Sequence, residues 1–370
     1  MREYSTEQTQ PKDSSLNSTV FTNEFFKEAF RVDKDINNEL LENSAVRQHP
    51  TFTLEECLLS STKDVLLQMA KEHGLIIPTS KKKNEVASQL KDHIIKIFTP
   101  MLEYLPTSNL NFLNRFANEK TTVIEASSVE LMDISHTNHY GFTYLFKHNK
   151  KVFITIPTEL TPSLSALKNK DLFERAHLHE RVDAYAVSLS NLYGVLDIDQ
   201  AAIVWNKYEK EDLTPMMIGD ILSHLNSTQI FWWYEDENII STYFDDDEEV
   251  EEFLQSVKDV SYYMPTSREL RLFFATPYDP ASPAIHAMID FLSTFSLDEA
   301  DHVQQIMQHI ADACVVGEEL SDIIELLNGF GVYFHGIEEV TQFTQLYDDL
   351  EEVSRKWNLK GHRPSVLKSR

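Results

Sequence analysis

GFTYLFKHNKKVFITIP, Gly141–Pro157, decides how this chain is read. Two runs of β-branched and aromatic residues, GFTYLFK and KVFITIP, flank the short polar HNK. Such runs suit a pleated, half-buried surface. They predict a β-hairpin with Lys147, Lys150 and Lys151 at its tip. Pro157 ends the second run, because proline donates no ladder hydrogen bond. The segments around this hairpin are mostly helical in period, so the chain is expected to be mainly α, with small β-hairpins.

Upstream, NLNFLNRFANEK is helical, and helices followed by a two-stranded hairpin have the order of a winged helix. Residues 106–168 are therefore read as one winged-helix-like unit, and the pattern recurs at 171–245. There, DLFERAHLHERVDAYAVSLSNLYG is a helix stopped by Gly194, and DIDQAAIVWNKYEK is a second, with Asp199 as its cap. TPMMIGDILSHL is a third, with Thr214 at the cap and Pro215 at the first helical position. QIFWWYEDENIISTYF closes the unit as a hairpin turning near Glu237-Asn238. Its tip is acidic (Glu235, Asp236, Glu237), where a groove-reading wing would carry lysine or arginine. Strand alternation sends Phe231 and Trp233 to one face, Trp232 and Tyr234 to the other. Trp232 and Tyr234 are the candidate outer pair, either stacking bases or packing.

Residues 1–20 are polar and aperiodic, which predicts a disordered arm, and 21–53 form an N-terminal helical segment. From 54 to 100 the pattern sharpens. Thr62 can cap a helix carrying Val65, Leu66, Met69 and Ala70 inward. Gly74 ends it in the left-handed conformation, and LIIPT is extended because Pro78 excludes helix before it. Ser80 is read as the cap of the next helix, with Val86, Leu90, Ile94 and Ile95 on its apolar stripe. Lys81, Lys82 and Lys83 then occupy a first turn, where positive charge opposes the macrodipole. Leu66, Ala70, Gly74, Leu75, Ser80, Lys82, Lys83, Val86 and Leu90 follow a helix–extended–helix pattern over about forty residues, and this stretch resembles the SAP and Rho N-terminal modules. The IIPT insertion lengthens the turn of that pattern. The resemblance implies DNA or RNA binding with lysines against phosphates. The candidate contacts are Lys63, Lys71, Lys81, Lys82, Lys83 and Lys91, joined by Lys147, Lys150 and Lys151 at the first hairpin.

After the acid run Asp245–Glu252, residues 253–370 read as a helical domain with a basic C-terminal tail. Short loops carrying Pro or Gly favour antiparallel neighbours in a bundle. The span from YYMPTSREL to RKWNLKGHRPSVL, above all Trp357, Leu359, Lys360, Gly361, His362, Pro364, Ser365 and Leu367, resembles uncharacterised bacterial proteins related to SEC-C-containing proteins. The cysteine-rich zinc tail of those proteins does not follow, so no zinc function is implied.

The totals narrow the function. The chain has 370 residues and a formal net charge of -26, with 42% hydrophobic and 25% charged residues and nine glycines. An excess of acid argues against unspecific DNA coating, which draws its energy from neutralising phosphates, but leaves room for a local basic face. No run of about 18 apolar residues is present and the N-terminus lacks a signal-peptide core, so no membrane is expected and the cytoplasm is the expected location. Cys57 and Cys314 are too few for a thiolate zinc site and read as buried structural thiols.

No phosphate-cradling glycine loop, nucleophile elbow or HExxH motif occurs. His177 and His179 diverge on a helix and cannot share a metal. His302 and His309 with Asp298 and Asp301 lack a second ligand-bearing helix. The acid run lacks the spacing of a calcium loop. No enzyme, cofactor or metal is expected. The expected function is non-enzymatic binding of DNA or RNA in a regulatory role; the alternative is a protein-binding scaffold, or an acidic nucleic-acid mimic that holds a basic protein.

Overall fold

The computed structural model describes residues 19–226, 230–295 and 302–367. Among them are seventeen α-helices and two three-stranded antiparallel sheets. The chain divides into two compact units, one of residues 23–183 with 224–226, the other of residues 19–22, 184–223, 230–295 and 302–367.

The first unit opens with α1 (Asn23–Ala29) and α2 (Lys34–Ser44), then α3 (Leu54–Ser60), α4 (Lys63–Glu72) and α5 (Lys83–Met101). Thr53 and Glu56 form a reciprocal capping box on α3, and the Thr62 hydroxyl accepts from Val65 N at the start of α4. Gly74 has φ +68°, the left-handed stop expected of it. Leu66 and Ala70 of α4 and Val86, Leu90, Ile94 and Phe98 of α5 are buried. Val65 and Ile95, expected inside, are 50% and 41% exposed. Each lies one residue, about 100° of rotation, from a buried neighbour and falls off the stripe.

The unit continues with α6 (Thr107–Glu119), β1 (Val123–Glu125), α7 (Ser135–His139), β2 (Tyr144–His148) and β3 (Lys151–Thr155). The hairpin pairs from Tyr144 opposite Thr155 to His148 opposite Lys151. Asn149 and Lys150 remain as a two-residue turn with φ +49° and +62°, the doubly positive geometry that matches strand twist. β1 adds to the far side of β3, giving the order β1-β3-β2. The outer edge of β2 is covered by Val46, whose N–H donates to Leu145 O and whose carbonyl accepts from Lys147 N. One hydrophobic cluster runs from Leu41 through Leu66, Leu90, Phe116, Phe146 and Ile154 to Ala176. The segments 54–100 and 106–168, assigned separately from the sequence, therefore share a single core.

α8 (Lys170–Tyr193) supplies its first half to this unit and its second half to the other. In the second unit it is followed by β4 (Val195–Asp197), α9 (Ile198–Tyr208), α10 (Pro215–Leu225), β5 (Trp232–Glu235) and β6 (Asn238–Ser241). Gly194 stops α8 at φ +74°. The α9 cap is Asp197, which accepts from Gln200 N at 2.7 Å, rather than Asp199. Thr214 caps α10 through Met217 N, with Pro215 opening the helix as expected. Glu235 lies opposite Asn238, so the hairpin turns on Asp236 and Glu237, one residue earlier than read from sequence. The strand order is β4-β6-β5.

The remainder is helical: α11 (Asp247–Val257), α12 (Ser267–Ala275), α13 (Pro283–Leu292), α14 (His302–Val316), α15 (Leu320–Gly329), α16 (Ile337–Val353) and α17 (Pro364–Leu367). The acid run opens α11, with Asp246 as its cap. Thr266 and Glu269 make a capping box at the start of α12. α13 to α16 enclose a core of Ile285, Met288, Ile310, Leu327 and Phe343.

A second cluster ties the sheet of this unit to its helices through Val195, Ile240, Phe244, Val250, Val315 and Trp357. The basic segment near the C-terminus is folded onto the unit. Trp357 Nε1 donates to Asn191 O at 3.0 Å, and a Cβ on Gly194 would stand 2.6 Å from the Trp357 ring. Arg355 binds Glu269 and lies over the Tyr263 ring. Most of the predicted N-terminal arm lies outside the described residues; Val20 and Phe21 at its end are buried, with Phe21 edge-on to Tyr185.

Candidate functional site

The basic corner is built where α3, α4 and α5 meet. Only Lys83 of the lysine trio lies in a first helical turn. Lys81 N donates to Pro78 O in a turn, Lys82 is the residue before α5, and Lys83 opens the helix. Glu85, three residues into the cap, accepts from Lys82 N at 3.0 Å and from Lys81 Nζ at 3.2 Å. Those two donors, the backbone one first, hold its carboxyl below the ordinary range. The adverse charge expected against the macrodipole is thus countered locally.

The other lysines of the corner are mostly engaged. Lys83 Nζ donates to Leu59 O at 2.6 Å, reaching a carbonyl in the last turn of α3 that has no helical partner. Lys63 Nζ donates to Thr79 O at 2.5 Å. Lys91 pairs with Glu55 at 2.9 Å, which raises the lysine's pKa. At the first hairpin, Lys147 pairs with Glu42 at 2.5 Å and Lys151 with Glu125 at 2.8 Å. Of the nine lysines expected to face phosphates, Lys71, Lys82 and Lys150 are exposed and, among the described residues, have neither a side-chain ion pair nor a carbonyl contact. They are single charges on separate elements: the end of α4, the turn before α5 and the hairpin tip.

The second hairpin corrects the stacking assignment. Trp232 is 1% exposed, so its ring cannot meet a base. Tyr234, on the same face, is half-buried, and a Cβ on Gly219 of α10 would stand 2.5 Å from its hydroxyl. That face of β5 therefore packs on α10, and the glycine makes room for it. Trp233 on the opposite face packs against the cluster around Phe244 and Trp357. Phe231, just before the strand, is the exposed ring, at 53%. The outward side chains of α9 and α10 include Ile203, Met216, Met217 and Asp220, and no Lys or Arg occurs in α10.

Burial raises the Cys57 thiol to about 11 and the Cys314 thiol to about 12, so neither is a thiolate at neutral pH. Both are free and buried. Among the described residues, no group of three or more His, Cys, Asp or Glu is arranged to hold a metal. Asp298 and Asp301, considered with His302 and His309, lie outside the described residues.

One feature of charge went unread in the sequence because it is an absence. From Leu272 to Val353 the chain has sixteen Asp and Glu and no Lys or Arg. Glu319, Asp322, Glu325, Glu338, Asp348 and Asp349 of this span are exposed. A field of one sign over a helical surface attracts cationic partners and speeds their encounter.

Comparison with known proteins finds no matching family model, curated protein or solved structure. No helix of the described residues is long and apolar enough to cross a membrane.

Proposed function

We propose that this chain is a non-enzymatic protein-binding scaffold that holds a basic partner on the acidic surface of α13 to α16. The observation that carries the reading is the run from Leu272 to Val353, with sixteen acids and no Lys or Arg. Among the described acids of the run, Glu351 pairs with Lys356 from beyond it. The helix–strand–helix–helix–hairpin order of residues 170–241, with the end strands flanking the last, supports a winged-helix-like reading. The shorter version at 107–155 supports the same, and α4, LIIPT and α5 support a SAP-like one. In this proposal both designs serve as packing modules, since fold alone confers no function. The acidic second hairpin tip and the apolar outward side chains of α10 favour protein over phosphate. Two free thiols fit a reducing compartment such as the cytoplasm.

Binding of DNA or RNA is the outcome that would overturn this assignment. The full chain, titrated into labelled random-sequence DNA and RNA at about 50 and 200 mM salt, is expected to give no saturable binding. A protein contacting six or more phosphates would instead lose roughly a thousandfold in affinity over that range. Such an isotherm, abolished by Lys71→Glu with Lys82→Glu and Lys150→Glu, would restore the nucleic-acid reading.

A further inference from the structure

The second unit contains a cavity of about 590 Å³, within the range of small-ligand sites and too large for a single inorganic ion. Aromatic side chains line much of it: Phe231 before β5, Tyr243 after β6, Phe274 of α12 and Trp357. Its polar lining includes Gln308 and Asp312 of α14, and Glu318 just beyond that helix. Its one imidazole is that of the exposed His309, and it has no Lys or Arg.

The carboxylates are incompletely answered from within the protein. Asp312 Oδ1 accepts from Gln308 Nε2 at 2.8 Å. Burial raises its pKa, Gln308 and His309 oppose that rise, and Glu318 adds to it. Glu318 Oε1 accepts from the Tyr243 hydroxyl at 2.5 Å, a donor that brings no positive charge. The cavity therefore combines two anionic groups, exposed ring faces and a surrounding span without a basic side chain. Hydrated inorganic cations gain little from such rings. An organic cation gains from both parts, since ring faces attract it and a carboxylate matches the fork of a guanidinium.

We infer that this cavity is a binding site for an alkyl guanidinium, with Asp312 and Glu318 as its anionic acceptors and Tyr243 and Phe231 as its ring walls. The group can arrive as an arginine side chain or as a free small molecule. In the first case the inference deepens the scaffold reading and rests on it; in the second it stands without it.

The test uses the full chain and three probes in calorimetric titration: agmatine, a short neutral-flanked peptide with one arginine, and the same peptide with citrulline, which keeps the shape and removes the charge. Saturable binding of an arginine-type probe is expected, with at least a tenfold loss for citrulline and at least a tenfold loss in Asp312→Asn. The Asp312→Asn protein should melt no lower than wild type, because it removes a half-buried carboxylate that burial disfavours. Glu318→Gln provides an independent second loss. Equal affinity for agmatine and peptide identifies a free ligand; binding of the peptide alone identifies a partner's arginine. No binding by any probe at millimolar concentration, or equal binding of arginine and citrulline peptides, would overturn the site. So would unchanged affinity in both folded variants. Capture of basic proteins that survives those variants would separate failure of the cavity from failure of the scaffold reading.

Discussion

Trp357→Ala is expected to destabilise the second unit by about 4 kcal/mol, as truncation of a buried tryptophan does when its cavity cannot collapse. Trp357 is 4% exposed. Its ring lies 5.7 Å from Phe244 in a stacked arrangement and 5.5 Å edge-on to Tyr243. The close glycine at 194 belongs to a backbone already fixed in a left-handed stop, so the chain cannot move in to fill the void. Truncation also strips Asn191 O of its indole donor. Trp357→Phe keeps most of the packing and loses that donor, for an expected cost of about 1 kcal/mol. All four tryptophans, at 205, 232, 233 and 357, lie in this unit, so denaturant titration followed by indole fluorescence reads it selectively. A loss below about 1 kcal/mol in the alanine variant would mean that the C-terminal segment is not the joint described.

Acid is expected to weaken the first unit as the pH falls below about 6.5. His73 and His136 are both lowered to about 4, chiefly by burial; nearby His93 and His139 add to the effect at His73, and His139 at His136. Around His73 stand His93 at 5.2 Å, Tyr140 at 5.7 Å, and His139, whose other neighbour is Glu72 at 3.7 Å. In the unfolded chain these imidazoles take a proton near pH 6.5, whereas the fold keeps them neutral until about pH 4. Stability is therefore undiminished above about pH 6.5 and is lost as the pH falls toward 4, because the unfolded state binds protons that the native state excludes. Together the two histidines should remove on the order of 5 kcal/mol across that window. Both ring nitrogens of His73 are buried without a hydrogen-bond partner. His73→Leu should leave stability at pH 7.5 unchanged or raised and should remove about half of the acid loss. Amide exchange of α4 and α5 between pH 7.5 and 4.5 measures the effect. A flat profile, or one the leucine variant does not alter, would contradict it.

The elements legible in the sequence were those set by local chemistry. The stop residues Gly74 and Gly194, the caps Thr62 and Thr214, and the hairpin across Asn149-Lys150 each follow from a few adjacent residues. Three-residue strands such as β1 and β4 carry too little pattern to be seen, and they form because β3 and β6 offer them an edge. α12 was readable, since its Thr-Ser-Arg-Glu start has the spacing of a capping box. The lysines show a limit of a different kind. Lys147 meets a carboxylate 105 residues away, Lys91 one 36 away and Lys151 one 26 away. Charge counted along the chain cannot anticipate such pairs, and they form only once distant helices and strands share a core. Trp232 shows the same limit: alternation separated the two faces of β5 correctly, but each face has a packing partner, α10 on one side and the Trp357 cluster on the other.

The most direct measurement is zero-length cross-linking of carboxylates to amines, with the full chain as bait in a nuclease-treated lysate and the linked peptides mapped. Partners with basic surfaces are expected to be recovered through Asp and Glu between Leu272 and Val353. Recovery that disappears on nuclease treatment, or links gathered on residues 54–151 with none on that acidic span, would contradict it.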